Sequence, residues 1–200
     1  MTEMSLKPIA AKATAISSLV TNDLTSSFKD AFSRLASGVC VVAFWRSGRL
    51  HGLTATSVTP VSIRPARLLF CVSETSESFA HFVHGSVVGI SILSGEQRAL
   101  SDRFASKVAA GGYDDVGVTE GAGHAPLLDG ALGHVCGIVV DLIPSGDHVI
   151  VLCDVTAATA AGDDTPLLYF RRAYHSLHQA NQESGCSSRQ GPFSRGNRNG

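Results

Sequence analysis

The sequence has no apolar run near the ~20 residues that a membrane-crossing helix requires. Its longest apolar run, 39–45, has only the length of a strand. The N-terminal segment also lacks the core of a signal peptide, because serines interrupt its short apolar stretch at 15–20. We therefore expect a cytoplasmic protein that does not bind a membrane.

An excess of positive charge and the Cys-x-x-Cys motif are missing as well. The net charge of −1 provides no basic face for nucleic acid. The five cysteines stand mostly inside apolar runs, as in Val39-Cys40-Val41. This placement predicts buried thiols in a reducing compartment. Disulfides, a metal site and nucleic-acid binding are therefore not expected.

Several motifs of catalysis and nucleotide binding are also absent. Gly121-Ala122-Gly123 lacks the third glycine of a dinucleotide-binding turn, and no phosphate loop, His-Glu-x-x-His or Gly-x-Ser-x-Gly occurs. His81 and His84 stand three apart, but no carboxylate or thiol lies at a fitting spacing, so we expect a solvated helix face there.

What is present predicts one folded domain with loose ends. Apolar residues make up 44% of the 200 residues and charged residues 16%. A chain of this length buries roughly 70% of the surface that it exposes when unfolded. We expect a flexible N-terminal arm over 1–25, a domain over 26–178 and a disordered C-terminal tail over 179–200.

Strand patterns outnumber helix patterns in this domain. Helices are predicted to begin near Ser27, Ser76 and Ser94, and loops at 60–65 and 107–125. No regular strand-helix-strand repeat occurs, which favours a mainly β, antiparallel barrel with short helices at its rim. The strands are predicted at 39–45, 49–58, 67–73, 86–93, 132–143, 148–158 and 167–170.

Two sets of small hydroxyl residues follow predicted strands. The first, Thr54, Thr56 and Ser57, surrounds Ala55, and the second is Ser73, Thr75, Ser76 and Ser78. Short donors, backbone N–H groups and a helix start suit a phosphate that carries a flat polar ring. An edge strand with its turn would show the same residues, so both interpretations stay open.

His148 opens a predicted strand directly after a tight turn. It is either a polar residue where the core ends or a donor that faces a bound cofactor or substrate.

The order of eight short blocks resembles the flavin reductase family, which has the FMN-binding split-barrel fold and includes the reductase components of two-component flavin-dependent monooxygenases. The resemblance spans about residues 28–178. The blocks are Ala36-Ser37-Gly38-Val39, Gly52-Leu53-Thr54-Ala55-Thr56-Ser57, Val61-Ser62, Ser76-Glu77-Ser78-Phe79, Ser101-Asp102-Arg103-Phe104-Ala105, Pro126-Leu127-Leu128-Asp129-Gly130-Ala131, Gly146-Asp147-His148 and Pro166-Leu167-Leu168-Tyr169.

The resemblance implies a homodimer of six-stranded Greek-key split barrels. It also implies reduction of FMN or FAD by NADH or NADPH, and delivery of the reduced flavin to a separate monooxygenase, often one that acts on aromatic compounds. For the flavin, the resemblance implies contacts from Thr54, Ala55, Thr56 and Ser57 at the ring edge and phosphate side, from Cys71, Val72 and Ser73 along the ring, and from Ser76, Ser78 and the adjacent Phe79 near the phosphate. It places Arg103 and Phe104 beside the flavin or the nicotinamide. It places His148, Arg171, Arg172 and Tyr174 toward the nicotinamide dinucleotide.

Two departures from the family pattern leave the preference between FMN and FAD open. Arg64-Pro65-Ala66 stands where members commonly have an acidic residue and two prolines, and Thr56 stands where Asn is frequent.

Hydride transfer needs no protein nucleophile, only nicotinamide C4 held roughly 3–3.5 Å from flavin N5. We therefore expect no catalytic side chain, with His148 at most a positioning residue. The alternatives are a non-enzymatic flavin-binding split-barrel protein and a hydrolase that uses Ser101 with His148, which no nucleophile motif supports.

Overall fold

The computed structural model describes residues 24–106, 112–161 and 164–177. Most of the predicted N-terminal arm and the whole predicted C-terminal tail lie outside the described residues. Leu24 and Thr25, which were assigned to the arm, are the first residues of a helix.

The helices of the described residues are few and short. Helix α1 spans Leu24–Ser33 and helix α2 spans Arg98–Ala105. Single 3-10 turns occur at Phe79–His81, Gly95–Gln97 and Ala122–His124. The predicted capping motif before α2 is confirmed, because the N–H of Ser94 donates to Gln97 Oε1 at 3.1 Å.

The predicted helix after Ser76 is wrong, since that segment forms only one 3-10 turn. The hydroxyl of Ser86 accepts the N–H of Val83 at 3.1 Å and donates to the carbonyl of His81 at 2.9 Å. These bonds replace the next helical turn and lead the chain into a strand. Val83 is 57% exposed, whereas Phe82 is buried.

The described residues contain twelve strands. They are β1 Ser37–Gly38, β2 Cys40–Arg46, β3 Arg49–Ala55, β4 Thr59–Ile63, β5 Ala66–Ser73, β6 Val87–Ile92, β7 Val118–Glu120, β8 Pro126–Leu128, β9 Gly133–Ser145, β10 His148–Ala160, β11 Leu167–Phe170 and β12 Ala173–Ser176.

The main sheet is antiparallel and has the strand order β3-β2-β6-β9-β10-β5-β4. It counts seven strands where six were expected, because β4 pairs with β5 along a segment that was predicted to be a loop. Pro60 has no N–H to donate, and an edge strand tolerates such a residue. The mainly β, antiparallel architecture is confirmed.

Side chains from both halves of this sheet meet in one core. Phe44 of β2 and Phe70 of β5 both pack edge-on against Phe82, with ring centroids 5.3 and 5.2 Å from it. Val72 and Val151 belong to the same buried cluster. Since β2 and β5 are far apart in the strand order, the sheet must curl into a barrel around Phe82.

Strand β2 is buried on both faces. Val42 and Phe44 point into the barrel, while Val39, Val41 and Ala43 belong to a second buried cluster outside it. Helix α2 contributes Phe104 to this outer cluster. Burial on both faces explains why this stretch is a continuous apolar run rather than an alternating one.

The thiols of Cys40, Cys136 and Cys153 are buried and unpaired, as predicted, whereas Cys71 is half-buried. Burial raises the pKa of Cys40 to about 11 and that of Cys153 to about 12. Among the described residues, no helix has the length and apolar character to span a bilayer.

Candidate functional site

A cleft of about 440 Å³ opens where β3, β5, the 74–78 loop and the end of α2 meet. Eight of its lining residues were assigned to the cofactor from the sequence: Thr54, Cys71, Val72, Ser73, Ser76, Ser78, Phe104 and His148. Thr75, of the second hydroxyl set, also lines the cleft, together with residues that were not assigned to the cofactor: Arg46, His51, Gly52, Leu53, Glu77, His81, Ala105, Ser106 and Tyr113.

One side of the cleft is a hydroxyl rim, formed by Ser73, Thr75, Ser76 and Ser78. The hydroxyls of Ser73 and Thr75 lie 3.0 Å apart and share a hydrogen bond. The N–H of Thr75 donates to Ser73 Oγ at 3.3 Å, and the N–H of Ser78 donates to Ser76 Oγ at 3.3 Å. These bonds hold the short side chains in place, and hydroxyls so arranged can donate to a phosphate.

The residues around Ala55 build the cleft more than they line it. Thr54 Oγ1 donates to the carbonyl of Ser101 at 2.7 Å, which ties β3 to α2. Ser57 Oγ accepts the N–H of Cys71 at 2.9 Å, which ties the end of β3 to β5. Ala55 is buried and Thr56 is exposed, and neither lines the cleft.

An aromatic wall closes the side that faces α2. The rings of Phe104 and Tyr113 are parallel, with centroids 4.1 Å apart. Gly52 permits this packing, because a Cβ there would lie 2.7 Å from the carbonyl oxygen of Val42 and 3.0 Å from Phe104 Cε1. Flat apolar walls of this kind suit a planar ring system.

Arg103 braces the aromatic wall and does not itself line the cleft. Its guanidinium donates to both carboxylate oxygens of Asp115, at 2.9 and 2.7 Å, and to the carbonyl of Gly112 at 3.1 Å. Its hydrogen bond to Asp115 raises the pKa of Arg103 and lowers the pKa of the carboxyl. The pair thereby holds the segment that carries Tyr113.

His148 stands at the mouth of the cleft, directly opposite Ser73 in the β5–β10 pairing. Its Nδ1 lies 2.8 Å from Asp147 Oδ1. The hydrogen bond with His148 lowers the pKa of Asp147. This contact orients the imidazole and leaves Nε2 as the nitrogen that can meet a ligand.

Four other sequence-assigned residues lie elsewhere. Arg171 and Arg172 line a separate groove of about 260 Å³ beside α1, together with Asp30, Ser33 and Arg34. Tyr174 shares a hydrogen bond of 2.8 Å with the hydroxyl of Ser101. Phe79 packs against the barrel core. Within one chain, these residues do not line the cleft.

The geometry gives no support to a hydrolase. Ser101 is fully buried, and its hydroxyl hydrogen-bonds to Tyr174 rather than to His148. Within the described ranges, no group of three or more metal-binding side chains occurs either.

Two imidazoles that were given no binding role from the sequence also line the cleft. The ring of His51 stacks on that of Phe44, with ring centroids 6.0 Å apart. The ring centroid of His81 lies 6.2 Å from that of His51. Burial lowers the pKa of both histidines, and the positive charge of Arg46 lowers them further. The expectation of a solvated helix face was therefore wrong for His81. The aromatic rings nearest to His81 are Phe44 of β2, at 5.1 Å between ring centroids, and His51 of β3, at 6.2 Å.

A curled antiparallel barrel whose cleft combines hydroxyl donors, an aromatic wall and imidazoles defines a protein that binds a nucleotide-like aromatic cofactor. Residues 32–178 match the model of the flavin reductase like domain. The chain belongs to this family.

Curated relatives cover most of the chain. A protein of Streptomyces coelicolor named actinorhodin polyketide dimerase is 35% identical over 76% of this chain and 86% of its own length. The NADH-dependent FMN reductase RutF of Ancylobacter novellus is 33% identical over 84% of this chain and 90% of its own length. The reductase component of 4-hydroxyphenylacetate 3-monooxygenase from Thermus thermophilus is 31% identical over 77% of this chain and 97% of its own length.

A solved structure with the same fold is the NADH:FAD oxidoreductase of Streptomyces globisporus, in complex with NAD and FAD fragments. It superposes with a TM-score of 0.73 at 26% identity, over 82% of this chain and 98% of that one.

Proposed function

We propose that this protein is an NAD(P)H:flavin oxidoreductase that reduces FMN or FAD by hydride transfer and supplies the reduced flavin to a partner monooxygenase. The observation that carries the proposal is the single cleft in which a hydroxyl rim, an aromatic wall and His148 converge. Membership of the flavin reductase family supports the same function.

The residues present fit a flavin. The rim of Ser73, Thr75, Ser76 and Ser78 offers hydroxyl donors to a phosphate. The wall of Phe104 and Tyr113 offers a flat apolar surface to an isoalloxazine ring. The cleft volume of about 440 Å³ lies within the range of small-molecule sites.

When bound, the flavin supplies the chemistry by accepting a hydride from the nicotinamide. The protein itself binds the flavin and the nicotinamide and orients them. Thr54 and Ser57 hold the strands that shape the cleft, Val72 and Phe104 exclude water from its apolar side, and His148 faces the open mouth. No side chain has to act as a nucleophile, in keeping with the buried, bonded hydroxyl of Ser101.

The finer assignments rest on the relatives. The Thermus relative is a monooxygenase component for an aromatic acid, which supports an aromatic substrate for the partner enzyme here. The Ancylobacter and Streptomyces globisporus proteins are NADH-dependent, which supports NADH as the donor. Arg171, Arg172 and Tyr174 as nicotinamide contacts, and a cytoplasmic location, stay predictions.

We also propose a homodimer, as the resemblance implies. Helix α1 exposes Leu24, Phe28 and Phe32, and Leu35 just after the helix is also exposed, with exposed fractions of 58% to 71%. The rings of Phe28 and Phe32 lie 4.5 Å apart and form one patch. A second copy of the chain is the occupant that would cover this patch.

The decisive test mixes the purified full chain with NADH or NADPH and with riboflavin, FMN or FAD. We expect flavin-dependent loss of the nicotinamide absorbance. Flavin binding without turnover would favour a non-enzymatic flavin carrier. Neither binding nor turnover by the folded protein would refute the proposal.

Substitution of His148 separates positioning from proton transfer. We expect His148→Ala to lower turnover by about 10- to 100-fold, as loss of one positioning contact does. Asp147→Asn is the matched control, because it weakens only the contact that orients the imidazole, and its effect should be smaller. Complete loss of activity in folded His148→Ala would instead assign a proton-transfer role.

A further inference from the structure

One corner of the cleft gathers three basic side chains, Arg46, His51 and His81, which we name the cation corner. Arg46 ends β2, His51 lies on β3 and His81 ends the 3-10 turn at Phe79–His81. All three line the cleft. Arg46 and His51 are neighbours in the β2–β3 hairpin, and the tertiary fold brings His81 to them.

The charge of Arg46 is not neutralised within the described part of the chain. Arg49, Arg67 and Arg103 each lie 2.6 to 3.1 Å from an aspartate oxygen, whereas no carboxylate of the described residues lies within 4 Å of Arg46. A guanidinium without a carboxylate partner that lines a cleft is suited to bind an anion from solution.

The cation corner adjoins the hydroxyl rim. Ser78 Oγ donates to the carbonyl of Gly52 at 3.4 Å, and Gly52 directly follows His51. A ligand that places one phosphate on the hydroxyls of Ser76 and Ser78 therefore has the basic side chains next to it. A mononucleotide has no further phosphate to place there, whereas a dinucleotide has one.

We propose that Arg46, His51 and His81 form a subsite for the second phosphate of a dinucleotide, so that the cleft favours a pyrophosphate-containing ligand over a mononucleotide. The inference rests on the proposed function and names the ligand class of the same site. The pyrophosphate comes either from FAD or from the pyridine dinucleotide.

The affinity of this subsite should rise as the pH falls. The pKa values of His51 and His81 lie below the usual value, so that both rings are neutral at pH 7 and Arg46 carries the standing charge. A bound pyrophosphate favours protonation of both rings. The pyrophosphate diester does not titrate in this range, so the pH dependence belongs to the protein.

The other ionisable groups around the corner do not reverse this sign. Arg49 is paired with Asp114 at 3.1 Å, and Tyr113 has a pKa that burial raises. Glu77 also lines the cleft and is exposed. His148 lies at the mouth of the cleft, where its Nδ1 is 2.8 Å from Asp147 Oδ1.

The test measures dissociation constants for riboflavin, FMN and FAD by flavin fluorescence, with melting curves to establish folding. We expect Arg46→Ala to weaken FAD about tenfold, the effect of one charge-assisted hydrogen bond, and FMN less than about twofold. Arg46→Lys should keep most of the FAD affinity. Arg98→Ala is the remote control, since Arg98 is exposed on α2 and does not line the cleft.

A second arm distinguishes the source of the pyrophosphate. If FAD binding is unchanged, Arg46→Ala should raise the KM for NADH about tenfold at saturating FMN, and leave the KM for reduced nicotinamide mononucleotide unchanged. Replacement of both His51 and His81 by Gln should flatten the increase in dinucleotide affinity between about pH 8 and about pH 6.

The inference is overturned if Arg46→Ala changes neither the dissociation constant of FAD nor the KM for NADH. It is also overturned if the variant weakens the binding of FMN and of FAD equally. These outcomes leave the proposed function intact when the wild-type protein still reduces flavin. Conversely, an Arg46-dependent preference for FAD without any turnover would refute the proposed function and retain the subsite.

Discussion

The side-chain hydroxyl of Thr54 donates a 2.7 Å hydrogen bond to the main-chain carbonyl of Ser101. The first residue belongs to a strand of the barrel and the second to the helix outside it. Ser101 in turn hydrogen-bonds through its hydroxyl to Tyr174 of β12. One buried serine thus joins β3 of the barrel, α2 and β12.

Thr54→Val should lower the free energy of unfolding by about 1 kcal/mol, because it removes the donor and keeps the shape of the side chain. Flavin affinity should fall with it, since α2 carries Phe104. Thr54→Ser retains the hydroxyl and is the control. Urea unfolding and flavin titration measure both effects, and equal losses in the two variants would contradict the assigned role of the hydrogen bond.

Gly52→Ala should destabilise the fold by about 1–3 kcal/mol, as overpacking does. The added Cβ would lie 2.7 Å from the Val42 carbonyl oxygen and 3.0 Å from Phe104 Cε1, so either β3 or the aromatic wall must move. A weaker flavin complex should accompany the loss of stability. Thermal unfolding and flavin titration are the measurements.

Gly38→Ala is the matched control for Gly52→Ala, because nothing lies within 4 Å of the position that its Cβ would take. Its effect on stability should stay within about 0.5 kcal/mol. If both variants behave alike, the close approach at Gly52 does not limit the site.

Among the four described cysteines, Cys71 should react first with iodoacetamide. At about pH 8 the thiols of Cys40 and Cys153 stay protonated, since burial raises their pKa to about 11 and about 12, and only a thiolate is alkylated rapidly. Cys71 is half-buried and lines the cleft. Peptide mass spectrometry should show that FMN slows its alkylation. A rate at Cys71 that FMN does not change would argue against flavin in this cleft.

The double variant Phe28→Asp/Phe32→Asp should convert a dimer into a monomer, because two carboxylates would replace the apolar patch of α1. Light scattering should report about twice the chain mass of 20.9 kDa for the wild type and the chain mass for the variant. Lys29→Ala changes charge on the same helix and should leave the dimer intact. A monomeric wild type would refute the homodimer.

Local patterns were enough to predict several elements. The apolar run 39–45 indicated a buried strand, and Val41 and Val42 of β2 are both buried, in two different clusters. The Ser94 to Gln97 spacing indicated the start of α2, because capping depends only on neighbours in sequence. Local pattern failed at 59–63, where two prolines suggested a loop but pairing with β5 makes an edge strand.

By itself, the amino-acid order determined the antiparallel strand-rich architecture and the places where hydroxyls follow strands, since periodicity and turn chemistry are local properties. Tertiary structure alone decided which side chains meet. The tertiary fold brings His81 to Arg46 and His51 of the β2–β3 hairpin, and the Arg103–Asp115 pair holds the segment that carries Tyr113 to the cleft. Such meetings depend on barrel closure and on the path of the 112–117 segment, and no pattern of neighbouring residues encodes either of them.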